Sequence, residues 1–282
     1  MTDSIAPRFR QAVALHLVSN FRPDVQPGTP LFLGIQGPPG EGKTYQVERV
    51  LEEAQIHTIL LSGGEMESPD AGAPAAKMRM AYLEAGKYVD CGTPAAVVLN
   101  DADAAIGIWG DLTQYTVNTQ NLITELMHLA DYPTRVEGKR VRRIPIILTG
   151  NDFTRLYAPL RRSGRMRIFT WRMSAEERAS AVNSLFPWLS ASESGDLVRR
   201  FPDQPISFWA AVRRRMDDSV LTMALDRYGL GSLVRGLISG RTVQINDRNY
   251  PIDTIITMAE KVAADTAHDF LASPAGSRNG LR

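Results

Sequence analysis

Residues 30–44 read PLFLGIQGPPGEGKT, an apolar run that passes directly into a glycine-rich turn ending in Lys43 and Thr44. An apolar run that stops at a turn predicts a buried strand, and the helically spaced apolar residues of 43–54 predict a helix behind the turn. The turn itself, residues 37–44, matches G-x-x-x-x-G-K-[ST] without a mismatch. This stretch therefore predicts a strand, a Walker A phosphate loop and a helix, in that order.

The residue types in this loop fit the binding of ATP and Mg²⁺. Glycines let the backbone curl so that its N–H groups surround phosphate oxygens at the start of a helix. Lys43 is expected to reach the terminal phosphates, and Thr44 to hold Mg²⁺. The nucleotide-binding candidates in the loop are Gly37, Pro38, Pro39, Gly40, Glu41, Gly42, Lys43 and Thr44.

Strand-like and helix-like patterns alternate through the first part of the chain. Helical patterns lie at 74–89 and 122–130. Because this alternation favours a parallel sheet with helices on both faces, the predicted fold class is α/β. Four further strands are predicted, at 57–62 (HTILLS), 95–100 (AAVVLN), 144–149 (IPIILT) and 166–171 (MRIFTW).

The pattern changes at Ser174, where Ser-Ala-Glu-Glu has the spacing of a helix capping box. Everything after it is typical of helix, and the final stripe of apolar residues follows Pro251. The expected divisions are an α/β nucleotide-binding domain at 1–173, an α-helical lid domain at 174–271 and a flexible tail at 272–282.

The composition is that of an ordinary globular protein, with 44% hydrophobic and 22% charged residues in a chain of 282. A formal net charge of +1 gives no overall attraction to nucleic acid or to membranes. No apolar run reaches the roughly 18 residues that span a bilayer, and the single cysteine, Cys91, permits no internal disulfide. These features predict a cytoplasmic protein.

The strand at 95–100 ends in Asn100-Asp101-Ala102-Asp103, at a place where ring-forming ATPases usually carry Asp-Glu. In one assignment Asn100 supports Mg²⁺ and Asp101 activates the attacking water. In the other, Asp101 supports Mg²⁺ and Ala102 replaces the base, which predicts a ring that binds ATP without turning it over. A continuing strand would point Asp101 and Asp103 the same way and Asn100 the other way, which does not distinguish the two assignments.

A third polar group follows the strand predicted at 144–149. Asn151 would lie beside the γ-phosphate and orient the attacking water. Arg162 and Arg165 lie on a turn further along. An arginine that reaches a neighbouring subunit's γ-phosphate stabilises the charge of phosphoryl transfer, so this pair predicts hydrolysis that depends on ring assembly.

Several longer segments resemble those of Rubisco activases, which are hexameric AAA+ ATPases, and the resemblance runs from about residue 5 to 271. The matching segments are IAPRFRQAVALHLVSNF, GGEMESPDAGAPAAKMR, NDADA, TQYTVNTQ, TGNDFTRLYAPLRRSGRM and FPDQPISFWAAVRRRM. The resemblance is to the bacterial or cyanobacterial type, without the N-terminal and redox extensions of plant activases. It implies an AAA+ P-loop fold with a five-stranded parallel sheet and a helical lid.

The resemblance also implies roles for particular residues. Asp101 takes the catalytic acidic position, Asp103 supports the site, and Asn151 is the sensor that faces the γ-phosphate. Arg162 and Arg165 are the arginines that act in trans. Arg213 and Arg215 match the lid arginines that contact bound nucleotide.

The implied partners are further copies of the chain in a hexameric ring and a client protein, with the Rubisco large subunit as the candidate. Two loops are expected to grip the client, at 65–73 and at 106–115, and the second holds Trp109 between glycines. The Ile108-Trp109 pair replaces a basic residue and a methionine of activases, at the place where a client would be touched.

Other classes fit parts of the sequence. One alternative is an activase-like AAA+ ATPase that acts on a protein other than Rubisco. A small-molecule P-loop kinase would share the phosphate loop, but no acceptor site is evident. A nucleic-acid loader would use the basic runs 139–143 and 213–215, against which the near-neutral net charge argues.

Overall fold

The computed structural model describes residues 5–66, 68, 70–107, 117–240 and 249–272, with side chains described as far as residue 265. The chain divides into two compact units, Ile5–Arg172 and a second that begins at Met173. Among the described residues, no helix combines the length and apolar character needed to cross a bilayer.

The first unit alternates strands and helices along the chain. Its helices are α1 (Pro7–Phe21), α2 (Lys43–Glu53), α3 (Ala73–Asp90), α4 (Ala102–Ile106) and α5 (Val117–Asp131). Its strands are β1 (Phe32–Gln36), β2 (His57–Ser62), β3 (Ala95–Asn100), β4 (Arg135–Val136), β5 (Lys139–Arg140), β6 (Ile146–Gly150) and β7 (Met166–Thr170). Short 3₁₀ turns cover Gly64–Met66, Phe153–Arg155 and Ala158–Arg161.

Five strands form one parallel sheet in the order β2-β3-β6-β1-β7, and β4 and β5 form a small antiparallel hairpin. The central strands are continuous buried runs because helices cover both faces of a parallel sheet. Because the five strands are parallel, they all end at one edge of the sheet. The phosphate loop follows β1 at that edge, and the polar residues that follow β3 and β6 end there as well.

Helix α1 packs through residues spaced one helical turn apart. Phe9, Val13, His16, Leu17 and Asn20 are buried, and Pro7 stands in the first turn, where its missing N–H costs nothing. Phe9 contacts Trp171, just beyond β7, edge-to-face at 5.0 Å between ring centroids.

The second unit is helical. Its elements are α6 (Ala175–Leu185), α7 (Ala191–Arg200), α8 (Ile206–Tyr228), α9 (Leu230–Ile238) and α10 (Ile252–Ala272). Ser174 and Glu177 form the predicted capping box, and Ser190 and Glu193 form a second one. The core of this unit surrounds the fully buried Trp209.

The predicted α/β class is confirmed, with a five-stranded parallel sheet and a helical C-terminal region. Strands β2 and β3 have the predicted bounds. Strand β6 begins at Ile146 rather than 144, because Pro145 has no N–H to donate to a neighbouring strand.

Candidate functional site

The phosphate loop leads from β1 into α2 through a left-handed glycine. Gly42 has φ 69° and ψ 25° immediately before the first residue of the helix. A residue with a Cβ adopts that conformation at a cost, so the glycine of the motif is required by the turn. In the rest of the loop Gly37 and Glu41 are buried, Gly40 is half-buried, and Pro38 and Pro39 are exposed.

Lys43 lies at the centre of the loop and is largely buried. Its Nζ donates to the carbonyl oxygens of Gly37 and Pro38 at 2.7 and 2.9 Å, and to Asn151 Oδ1 at 3.0 Å. Burial lowers the pKa of Lys43, and the nearby carboxylates of Asp103, Asp101 and Glu41 act in the opposite direction. The ammonium is therefore positioned by oxygen acceptors from two strand ends, with negative charge close by.

Thr44 lies next to the end of β3. Its Oγ1 donates to Asn100 Oδ1 at 3.3 Å, and Thr149 Oγ1 donates to the same oxygen at 2.9 Å. Asn100 is thus fixed between the first turn of α2 and the end of β6. Two strand ends and the start of a helix therefore meet at this amide.

Asp101 is not part of the strand. Strand β3 ends at Asn100, and Asp101 adopts φ 52° and ψ 45°, a left-handed conformation that is uncommon outside glycine. Because α4 begins at the next residue, the prediction that Asp101 and Asp103 point the same way along a continuing strand is wrong. The side chain of Asp101 is exposed at the carboxyl edge of the sheet.

Asp103 faces the interior. The residue is only 3% exposed, and its Oδ2 accepts the backbone N–H groups of Asn151 and Asp152 at 2.8 and 3.0 Å. A Cβ at Gly150 would lie 2.7 Å from the other carboxylate oxygen, so the glycine makes room for this contact. Asp103 therefore positions the backbone after β6, which carries Asn151.

The two arginines of the 162–165 turn have different surroundings. Arg165 forms a bidentate ion pair with Asp131, and its Nη1 also donates to the Pro159 carbonyl at 2.9 Å. Arg162 is exposed, and its side chain has no polar partner among the described residues. Arg162 and Arg165 therefore differ in how far each is free to reach outward.

The candidate lid arginines are both paired inside the helical unit. Arg213 contacts Asp217, the Leu185 carbonyl and the face of Trp188, with 4.7 Å from its Cζ to a ring centroid. Arg215 pairs with Asp265. The exposed arginine between them, Arg214, is not among the predicted candidates.

Sequence reasoning missed three residues that build this edge. Thr149 is buried and donates to Asn100, and the side chain of Gln36 accepts the Phe153 N–H at 2.9 Å. Trp171 is fully buried, and its Nε1 donates to the Glu41 carbonyl of the phosphate loop at 2.8 Å. Gln36 and Thr149 could have been recognised from the sequence, because each is a polar residue at the end of an apolar strand.

The oxygen donors at this edge fit Mg²⁺ held together with nucleotide phosphates. Within the described ranges, no group of three or more His, Cys, Asp or Glu side chains could hold a metal ion without such help. Thr44 offers a hydroxyl, Asn100 an amide oxygen and Asp101 an exposed carboxylate, and Mg²⁺ prefers oxygen ligands supplemented by phosphate.

The predicted client-gripping loops fall mainly outside the described residues. Residues 108–116, which include Trp109, lie outside them, as do 67 and 69 of the first loop. The described Ile106 is buried, and Gly107 forms an isolated antiparallel bridge with Leu156.

The family described as the ATPase family associated with various cellular activities (AAA) matches residues 33–173. Its matched region contains the phosphate loop and the strand ends that converge on Asn100. The match therefore covers this edge of the sheet and the 162–165 turn, whereas Arg213 and Arg215 lie beyond it.

Similar proteins include several ribulose bisphosphate carboxylase/oxygenase activases. Those of Nostoc and Anabaena are 44% and 42% identical over 77% and 81% of this chain, which correspond to 55% and 57% of their own lengths. The chloroplastic activase of Arabidopsis thaliana is 38% identical over 84% of this chain and 52% of its own length. The chain thus spans about half the length of these relatives. It belongs to the AAA family of ATPases, as a member that resembles ribulose bisphosphate carboxylase/oxygenase activase.

Proposed function

We propose that this protein hydrolyses ATP at the subunit interfaces of a ring and uses the energy to remodel a client protein, as a chaperone of the activase type. The observation that carries the proposal is the convergence of Lys43, Asn151, Thr44 and Asn100 through hydrogen bonds of 3.0 and 3.3 Å. Phosphate-binding and water-positioning groups are thereby brought to one edge of the sheet, as phosphoryl transfer requires.

In this proposal the phosphate loop holds the nucleotide. The backbone of residues 37–42 surrounds the phosphates, and Lys43 exchanges its contacts with loop carbonyls for phosphate oxygens. Asn151 orients the attacking water from the end of β6, in the position that the Asp103 carboxylate fixes. Because the backbone of Asn151 is already held in place, the water-positioning group needs little reorganisation on binding.

The contact between Asn100 and Thr44 favours the assignment in which Asn100 supports Mg²⁺ and Asp101 activates water. Asp101 is exposed at the edge of the sheet and available to accept a proton, whereas Asp103 is occupied with backbone amides. Bound Mg²⁺ supplies charge neutralisation at the phosphates. Asp101 keeps a second candidate role as a Mg²⁺ ligand beside Thr44, and a substitution distinguishes the two roles.

The 162–165 turn is the part of the chain through which ATP hydrolysis would depend on assembly of the ring. Arg162 is exposed and lacks a partner among the described residues, which suits an arginine that completes the site of a neighbouring copy. We propose a homo-oligomeric ring, with six subunits as in the activase resemblance. In the lid, Arg213 and Arg215 are the candidates for nucleotide contact, and both would exchange an intramolecular carboxylate for it.

The proposed client is Rubisco, from which an activase releases inhibitory sugar phosphates. The support is the similarity to proteins named ribulose bisphosphate carboxylase/oxygenase activase across most of this chain. We place the protein in the cytoplasm, in agreement with its one exposed, unpaired cysteine.

The test is incubation of the purified protein and ATP with sugar-phosphate-inhibited Rubisco of the same organism, scored for recovered carboxylation. Recovery that depends on ATP supports the whole proposal. ATP hydrolysis without recovered carboxylation would support the ATPase activity and exclude Rubisco as the client. Formation of ADP that requires a small-molecule acceptor, with the phosphoryl group recovered on that acceptor, would instead identify a kinase.

A further inference from the structure

A cavity of about 930 Å³ lies at the other edge of the sheet from the phosphate loop. Its wall includes the loop at 22–29, which precedes β1, the segment 140–143, which precedes β6, and Gly164, which precedes β7. Parallel strands all begin at this edge, so the cavity is separated from Lys43 by the length of the strands, roughly 16 Å for five residues. It is therefore no part of the nucleotide site.

The cavity is lined by four arginines and two aspartates: Arg22, Arg140, Arg142, Arg143, Asp90 and Asp131. Both aspartates are already neutralised. Asp90 accepts from Arg142 at 2.7 Å, and Asp131 holds Arg165 in a bidentate pair. Arg22 pairs with Asp24. The remaining arginines of the lining are Arg140 and Arg143.

Neither of these two arginines forms an ion pair with a carboxylate in the part of the chain that the structure describes. Arg140 is exposed, whereas Arg143 is half-buried. Two positive charges at the cavity therefore lack a counter-charge. Their sum matches the charge of a phosphate dianion.

Arg143 is held in a fixed orientation by neutral acceptors. Its Nε donates to Asn20 Oδ1 at 2.8 Å and its Nη2 to the Thr29 carbonyl at 2.6 Å. Burial lowers the pKa of this guanidinium, which nevertheless stays protonated. A partly desolvated cation with several N–H donors left over gains from a bound anion, and the planar guanidinium fits phosphate oxygens in pairs.

We propose that this cavity is a second anion site, which binds a phosphate group through Arg143 and Arg140. The ligand class is inorganic phosphate or a phosphate monoester, which present the same dianionic head. The site is independent of ATP hydrolysis, and its existence does not depend on the proposed function.

The test uses a Lys43→Ala background, which removes phosphate binding at the loop. Isothermal titration calorimetry with inorganic phosphate is expected to give one saturable site per chain at constant ionic strength. Arg140→Ala and Arg143→Gln are each expected to weaken it roughly tenfold or more, because each removes a charge-assisted contact. Arg200→Ala, at an exposed arginine paired with Glu260 in the helical unit, is the matched control and leaves the affinity unchanged.

Titration with glucose 6-phosphate distinguishes a phosphate monoester from inorganic phosphate as the ligand of this cavity. Tighter binding than inorganic phosphate identifies a monoester as the ligand, and equal binding identifies free phosphate. Arg143→Lys keeps the charge but loses the planar pair of donors, so an affinity between wild type and Arg143→Gln is expected.

Three results would overturn the proposal: no saturable binding at millimolar phosphate, an affinity unchanged in Arg140→Ala, or binding of polyglutamate with no binding of phosphate. Arg143→Gln removes contacts that tie Asn20 and Thr29 together, so its folding is checked by circular dichroism. Should that variant unfold, the exposed Arg140 still decides the question.

Discussion

Asp131 holds Arg165 in a bidentate ion pair, with 2.7 Å from Nε to Oδ1 and 2.6 Å from Nη2 to Oδ2. The pair joins the end of α5 to the turn before β7, and the Arg165 side chain is only 19% exposed. Arg162, three residues earlier, is exposed and has no polar partner among the described residues. Two arginines that the sequence treats alike thus have different surroundings.

Arg162→Ala is expected to reduce ATP turnover by about a thousandfold, the effect of losing an arginine that acts in trans. Nucleotide affinity and the midpoint of thermal unfolding should stay unchanged, because the side chain makes no described contact. Steady-state ATPase assays and nucleotide titration measure the two quantities. Wild-type turnover in this variant would exclude Arg162 from catalysis.

Arg165→Ala is expected to lower the free energy of unfolding by roughly 1 kcal/mol, because it breaks a partly exposed bidentate pair. Asp131→Ala should cost a similar amount, and the double variant little more than either, since the two side chains share one interaction. Urea unfolding of all three proteins tests this coupling. Additive losses would show that the pair does not stabilise the fold.

Asp101→Asn is expected to keep ATP binding and reduce hydrolysis by about a hundredfold or more, because the amide cannot accept the proton of the attacking water. Binding of a fluorescent ATP analogue with and without Mg²⁺ separates the two assignments of this residue. Loss of the Mg²⁺-dependent part of the affinity would instead make Asp101 a metal ligand. Asp70→Asn, at an exposed carboxylate outside the site, serves as the control.

Asp103→Ala is expected to cost about 3 kcal/mol of unfolding free energy. It removes a buried charged acceptor and leaves the backbone N–H groups of Asn151 and Asp152 without their partner. Turnover should fall as well, because Asn151 loses its support. Urea unfolding and ATPase rates check both effects, and a variant with wild-type stability would contradict the positioning role.

His16 predicts a pH dependence of stability. Burial lowers its pKa from 6.5 to about 3, with the positive charges of Arg167 and Arg143 acting in the same direction. The unfolded chain therefore binds the proton more readily than the folded one. As a result, the free energy of unfolding has its full value above pH 6.5, where His16 is neutral in both states, and decreases as the pH falls toward 3. The loss attributable to His16 at pH 5 is about 2 kcal/mol.

Urea unfolding of wild type and His16→Leu between pH 5 and 7.5 measures this difference. The substitution should flatten the slope of stability against pH, whatever its effect on stability itself. Equal slopes in wild type and His16→Leu would contradict the prediction.

The sequence by itself determined the elements whose signals are local. Strands β2 and β3, the glycine-rich turn before α2 and the capping box at Ser174 depend on patterns within a few residues, and each was predicted where it lies. Runs of apolar residues bury themselves, and glycine and serine fix turns and helix starts, without reference to distant parts of the chain.

Only the tertiary structure decided how the polar residues at the strand ends are used. Asn100 meets Thr44 across 56 residues of sequence, and Lys43 meets Asn151 across 108. The left-handed turn at Asp101 sends Asp103 inward to backbone amides, and the Asp131 pair separates Arg165 from Arg162. Such contacts depend on which strands are neighbours in the sheet, and a linear pattern does not encode that adjacency.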